Sequence, residues 1–594
     1  MTGAALTWQQ LRDLRLPELE GAGDGWNEVS GQSDGDRVQV DRAMTARLRD
    51  TQESESAEAA LGRLQRLSRN FQYLHTECGL VRTALNGLAA DVAEPQRRLK
   101  QALEEAAELE FAVHVDGSVS CPAATADTLT GPQEAPAGRA RGSARLPLEP
   151  PRLGEKSPSP LHPGLEPLNP NAAKAQDIAD RIARAVRSAA EIDGRYAKAL
   201  SRLRAAKGLD VTEATLEDAA RDTAAVRSTA GMYLGRDVPE DKSPAERKEW
   251  WDGLTEEQRQ EYLNVAPDLV GGLDGIPAVA RDEANRNYLP VLIDRLAGQD
   301  DEDARMKVDA LRKIEEKLSK SSHPPMFLLG IGEEGNGRAI IAYGNPDTSR
   351  NVSAYVPGLG TKLDDEFVRD TLKRAEDTVK GAQRYDKSSA AIVWLGYDAP
   401  QDVDVMGTAD ADRGAPAYNK FMAGLEATNE NKDPHLTVIG HSYGSLTVGT
   451  AAKQSGGIPG ADDIILLGSP GVGVDKAGEL GVDRSRVFVG AAENDPVTTL
   501  PSKGEMALAG PLGSFVHRDA FDLRNDDIYF GKDPASEAFG ARRFKVDEGP
   551  RPLLDLGAFD AHSQYFTPEK DRVSADNIAR IVSGEYDIKT EDHR

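Results

Sequence analysis

The sequence predicts an α/β domain on an eight-stranded, mostly parallel sheet, preceded by all-α regions. Three observations carry that expectation. Short β-branched and apolar runs start near residue 326 and alternate with helical segments. Before that point, apolar residues recur at steps of three and four, which marks one buried face per helix. A proline-rich stretch divides the helical part into two blocks.

With 594 residues the chain has room for two to four domains of about 150 residues, so a single small fold is excluded. Its 98 acidic and 72 basic residues give a formal charge of −26, which disfavours nucleic acid or an anionic lipid surface as partner. Cys78 and Cys121 are the only cysteines, too few for a disulfide framework and in no metal-ligand spacing. The opening MTGAALTWQQLRDLRL lacks a basic stretch followed by an apolar run, and no apolar stretch of about 18 residues occurs. The expectation is a chain with no cleaved export signal and no transmembrane segment, located in the cytoplasm.

Residues 1–118 read as a helical hairpin domain. Thr7 and Gln10 suit a capping box, and Leu61, Leu64, Leu67, Phe71, Leu74, Cys78, Val81, Leu85, Leu88 and Val92 form one stripe. Residues 119–170 read as a linker, because 11 prolines fall between Pro122 and Pro170. Residues 171–320 read as a helical region packing on the domain that follows, with Ile178, Ile182, Ala185, Ala189, Ile192, Tyr196, Leu200 and Leu203 on one face.

Residues 321–594 hold eight strand-like runs: Phe327–Ile331, Arg338–Tyr343, Val352–Val356, Ala390–Leu395, Leu436–Ile439, Ile464–Leu467, Arg486–Gly490 and Arg543–Val546. Only Gly332 to Gly337 separate the first two, too short for a helical crossover, so these should pair antiparallel. The others leave room for helices.

After the fifth run comes Gly440, His441, Ser442, Tyr443, Gly444 and then a helix-compatible stretch, the G-x-S-x-G pattern between strand and helix. A sharp turn there would hold Ser442 in strained geometry. Gly440 and Gly444 remove the Cβ atoms that would clash, and the helix N-terminus faces a developing oxyanion. A serine hydroxyl needs a base, and the base an orienting carboxylate. His517, His562 and His593 remain downstream. His562 is favoured because it lies on the loop after the last run, whereas His517 precedes that run and His593 is the penultimate residue. Asp495, where the seventh run opens into a turn, is the favoured acid, with Glu493 next. The oxyanion hole should take one N–H from Tyr443 and one from the loop after the third run, from Leu359 or alternatively Gly360. That loop also reads as an ordinary strand-to-helix turn. His441 reads as a packing or positioning residue. The glycines at 468, 471, 473 and 478 match neither G-x-G-x-x-G nor a G-K-[ST] ending, and no His/Cys cluster suggests a metal, so no cofactor is expected.

Three passages resemble a family of actinobacterial alpha/beta hydrolases long catalogued as a domain of unknown function. They are Gly272–Pro277 with Arg281, Asp282, Asn285 and Arg286; the elbow at 440–444; and Gly531–Pro534 with Phe539, Gly540 and Ala541. The resemblance implies an alpha/beta hydrolase fold and a Ser442, Asp495, His562 triad, without implying a substrate. The N-terminal region is similar in kind to the WXG-type helical hairpins of type VII secretion substrates. It departs from them in that Asn27 and Glu28 follow Trp26 and that Tyr73 and Glu77 fall within the helix.

The expected function is hydrolysis of a carboxylic ester, from a small molecule or a lipid, through an acyl-enzyme. Two alternatives stand beside it. One is a catalytically weak scaffold whose N-terminal helices self-associate or bind partners, and the other is a hydrolase secreted by a route that needs no signal peptide.

Overall fold

The computed structural model describes residues 6–51, 54–128, 131–143, 169–204, 211–320, 322–402, 407–500, 526–551 and 560–594. These form two compact units, Met1–Val238 and Pro239–Arg594.

In the first unit the stripe of the sequence becomes one helix, Glu55–Glu108, capped by the Ser54 hydroxyl on the Ala57 N–H. The Leu16–Gln39 helix runs back along it, with Gly23 against Asn86 and Ser30 bonded to His75. Thr7 and Gln10 form the expected capping box. Gln96 donates to Leu11 O and Leu14 O and ties the start of the chain to the long helix.

Two findings differ from the sequence-based expectation. First, the described part of the expected linker carries short strands: Val119–Cys121 pairs with Gly138–Ala140, and Ala124–Thr128 with Gly131–Ala135. Only three of the eleven prolines, at 122, 132 and 136, precede residue 144, and Val119, Cys121, Ala135 and Ala140 turn inward. Proline frequency averaged over the whole stretch hides those strands. Second, the Ala172–Leu200 helix packs on the Glu55–Glu108 helix of its own unit. Tyr196 stacks over Gly87 and donates to Asp91 at 2.8 Å, and Arg181 pairs with Glu105. The units therefore divide at 238/239 and not at 170/171.

In the second unit the eight runs all join one sheet. We number them β1 (Met326–Gly332), β2 (Arg338–Tyr343), β3 (Asn351–Val356), β4 (Ser389–Leu395), β5 (His435–His441), β6 (Ala461–Leu467), β7 (Val487–Gly490) and β8 (Arg542–Arg543). The spatial order is β1-β2-β4-β3-β5-β6-β7-β8, with β2 antiparallel to both its neighbours and every other pair parallel. The last strand is shorter than the run predicted at 543–546, because Phe544 bridges to Thr590 instead of continuing the ladder.

Helices α1 (Ala278–Ala297), α2 (Leu372–Ala382), α3 (Ala409–Thr428), α4 (Tyr443–Ala452) and α5 (Arg572–Val582) cover the faces. Strands β3 and β4 are buried at every position, as expected of a sheet covered on both sides. The first passage of the family resemblance is a clamp for the sheet edge. Asn285 donates to Gly271 O and Leu328 O, Asp282 accepts from Leu328 N–H, Arg286 donates to Met326 O, and Arg281 pairs with Asp274. These contacts fasten α1 to β1 through backbone groups that an edge strand leaves open. Among the described residues, no helix is long and apolar enough to cross a membrane.

Candidate active site

Ser442 stands between the end of β5 and the first residue of α4, at φ 56° and ψ −133°. Only Ser442 and Glu110 among the described non-glycine residues have positive φ, a strained state that costs about 1–3 kcal/mol and survives only when its surroundings enforce it. The enforcement is visible. A Cβ at Gly440 would lie 2.7 Å from Ser445 Cα, one at Gly444 would overlap Val356 O, and one at Gly358 would lie 2.7 Å from Ser442 Cβ. The Ser442 N–H also donates to Leu467 O at 3.0 Å, which pins the turn to β6.

His562 sits in a short 3₁₀ turn, Ala561–Ser563, and Asp495 caps another, Pro496–Thr499, just after β7. His562 Nδ1 lies 2.9 and 3.0 Å from the two Asp495 oxygens, so Nδ1 carries the proton and Nε2 is left as the basic nitrogen. Asp495 is completely buried and also accepts from Val497 N–H at 2.9 Å and from the Tyr565 hydroxyl at 2.5 Å. Burial by itself would raise its carboxyl. The charge of His562 and the bonds from His562, Tyr565 and Val497 outweigh burial and hold it below the ordinary carboxylate value.

Ser442 and His562 line one cavity of about 340 Å³, with Leu359, Gln401, His441 and Arg374 among its other walls. No hydrogen bond joins Ser442 Oγ to His562 among the described residues, as is common in a ligand-free site. A larger cavity, about 1150 Å³, lies in the first unit between its two long helices and holds none of these residues.

A family profile described as alpha/beta hydrolase matches residues 333–504. An uncharacterised protein of Mycobacterium bovis is 34% identical over 216 residues, 34% of this chain and 79% of its own length. The chain belongs to the alpha/beta hydrolases. An uncharacterised protein of Mycobacterium tuberculosis is 30% identical over 379 residues, 58% of this chain. The chain thus spans about half, 56%, of the length of that relative. Among solved structures, a hyperthermophilic esterase from Pyrobaculum calidifontis matches over 50% of this chain and 97% of its own, with 14% identity and a TM-score of 0.24.

The other expected site residues sort as follows. Tyr443 is the first residue of α4, where its N–H has no partner within the helix, and Gly358 lies beside that N–H. Gly360 N–H is already spent on Pro400 O at 2.8 Å, and Leu359 lines the cavity beside it. Glu493 is exposed and makes no bond to His562, His593 bonds Ala541 O at 2.7 Å, and His517 lies outside the described residues.

His441 Nε2 donates to the His562 carbonyl at 2.8 Å, and its ring lies 4.5 Å from that of His562. Burial first, then the charges of His562 and Arg374, push the His441 imidazole well below its ordinary value, so it stays neutral. Sequence reasoning did not single out Tyr565 or Arg374, and it gave Gly468 no role at this site. Tyr565 stands one helical turn after His562, a spacing that could have flagged it.

Proposed function

We propose that this hydrolase cleaves carboxylic esters through an acyl-enzyme on Ser442. What supports the reading is the buried Asp495–His562 pair at 2.9 Å beside the cavity that holds Ser442 in its strained turn. His562 Nε2 takes the proton of Ser442 Oγ as the oxygen attacks the ester carbonyl carbon. The Tyr443 and Leu359 N–H groups receive the oxyanion of the tetrahedral intermediate. His562 returns the proton to the departing alcohol, and Ser442 is left acylated. Water, activated by the same nitrogen, then releases the acid. Asp495 stays ionised throughout. It fixes the Nδ1–H tautomer and balances the imidazolium, while Tyr565 and Val497 N–H keep its oxygens aimed.

The test is a panel of para-nitrophenyl acyl esters assayed with the full chain and with Ser442→Ala, Asp495→Asn and His562→Ala. Each variant is expected to lose about 10⁴-fold or more in kcat. Turnover by the wild type that all three variants retain would refute the reading, and a folded wild type that turns over no ester would favour the scaffold alternative.

A further inference from the structure

One charged group in the cavity has no task in that mechanism. Arg374, in the first turn of α2, places its guanidinium among the residues lining the cavity, alongside Ser442 and His562. One edge of the group is anchored. Nη1 donates to the Tyr355 hydroxyl at 2.7 Å and lies 3.5 Å from His441 Nδ1, and the guanidinium carbon is 5.8 Å from the centre of the Phe566 ring. Among the ion pairs of the described residues none includes Arg374, although neighbouring cations are paired, Arg369 with Asp365 and Lys373 with Asp377. None of its nitrogens is a buried orphan either, so Nε and Nη2, which have no acceptor among the described residues, reach solvent on a residue that lines the cavity.

This is the construction of an anion subsite. A guanidinium keeps its charge at any working pH, and holding it half-buried against aromatic rings with no carboxylate costs free energy unless a ligand supplies the counter-charge. Nη1, braced by Tyr355 and His441, sets the plane, and the free Nε/Nη2 edge has the fork geometry that a carboxylate takes bidentately. Two acids on the same wall limit the charge of the ligand. Asp364 accepts from Phe367 N–H at 2.9 Å, and Glu366 is exposed at the rim. Both carboxylates repel an anion in the cavity, and they repel a phosphate dianion more strongly than a singly charged carboxylate. At about 340 Å³ the cavity is near the lower end of ligand sites, which suits a short acyl group.

From these contacts we propose that Arg374 is the specificity residue for an acyl group ending in a carboxylate, so that the substrates are hemi-esters of short dicarboxylic acids. The inference rests on the ester-hydrolase reading and deepens it. The far carboxylate of the acyl chain sits on Nε and Nη2 of Arg374 while the ester carbonyl reaches Ser442.

The test compares para-nitrophenyl hemiglutarate with the neutral para-nitrophenyl hexanoate as the ratio of their kcat/KM values. A charge-assisted bond of this kind is expected to give the wild type a preference for the hemiglutarate of about 10- to 100-fold. Arg374→Gln should collapse that ratio, chiefly through KM for the anionic ester, and Arg374→Lys should restore part of it. Free glutarate should raise the Tm of the Ser442→Ala protein and fail to do so when Arg374→Gln is added, a readout that needs no turnover. A wild type without the preference overturns the inference while leaving the ester-hydrolase reading intact. So does an Arg374→Gln protein that loses rate on both esters with the ratio unchanged, since Arg374 would then only position His441. If the wild type turns over neither ester, the function fails, and an absent glutarate shift fails the subsite independently.

Discussion

Replacing Gly468 by alanine should disable the site while leaving the fold standing. Gly468 follows β6 at φ +52°, and a Cβ built on it would lie 2.8 Å from both Asp495 Oδ2 and His562 Nδ1. Ordinary contact begins near 3.4 Å, so the pair must yield by about 0.6 Å. Neither partner can retreat freely, because Asp495 is fixed by Tyr565 and Val497, and His562 by His441 at its carbonyl. The movement therefore opens the 2.9 Å bond between them. A misplacement of about 1 Å costs on the order of 10²-fold in rate. Complete loss of the carboxylate's orienting role costs about 10⁴-fold, so kcat should fall between those limits. The left-handed backbone itself costs alanine only about 1–2 kcal/mol. Gly473→Ala is the control. It shares the loop and a φ of +72°, but its Cβ would meet only Lys453 Nζ at 3.3 Å and Leu446 Cδ1 at 3.4 Å. Gly468→Ala should lose more Tm than Gly473→Ala, by the added cost of overpacking, and only Gly468→Ala should lose turnover of para-nitrophenyl esters. If the two keep kcat within about threefold of each other, the wedge argument is refuted.

Tyr565→Phe removes one donor from Asp495 and strands the Ala492 N–H that the hydroxyl accepts at 3.1 Å, so stability should drop by about 1–3 kcal/mol, with about tenfold in kcat; an unchanged Tm would contradict this. In the first unit, burial and then Asp222 and Asp218 push Glu77 up to about 7 from 4.5. The folded form therefore holds its proton more tightly than the unfolded chain, and stability falls as pH rises from 4.5 through about 7. Glu77→Gln should remove that slope and gain on the order of 3 kcal/mol above pH 7, read as hydrogen-exchange protection along 55–108. A slope that persists in the variant would clear Glu77. A chain of residues 239–594 alone should keep the kcat of the full chain, because every residue assigned to the site lies within that unit; a folded but inactive piece would show that the first unit completes the site.

Much of this was legible in the sequence. Sheet strands buried on both faces read as continuous apolar runs, which is why Val352–Val356 and Ala390–Leu395 stand out and all eight runs join the sheet. The sharp turn at 440–444 was legible because its glycines answer local crowding at Ser445 Cα and Val356 O. What a helix packs against was not legible. The Ala172–Leu200 stripe announces a buried face, and nothing in its period says that Gly87 and Asp91, about a hundred residues earlier, cover it. The strands at 119–140 are too short to show a period amid glycine and proline. Gly468 and Arg374 owe their places to tertiary contact across β6 and α2, of which residue type gives no sign, whereas only its spacing from His562 marks Tyr565.

The central claim is that Ser442 is the nucleophile, and covalent labelling reads it directly. A fluorophosphonate probe incubated with the full chain, followed by digestion and peptide mass mapping, should place a single adduct on Ser442, and Ser442→Ala should take up none while unfolding at the wild-type temperature. An adduct on another residue, or equal labelling of the alanine variant, would contradict the account.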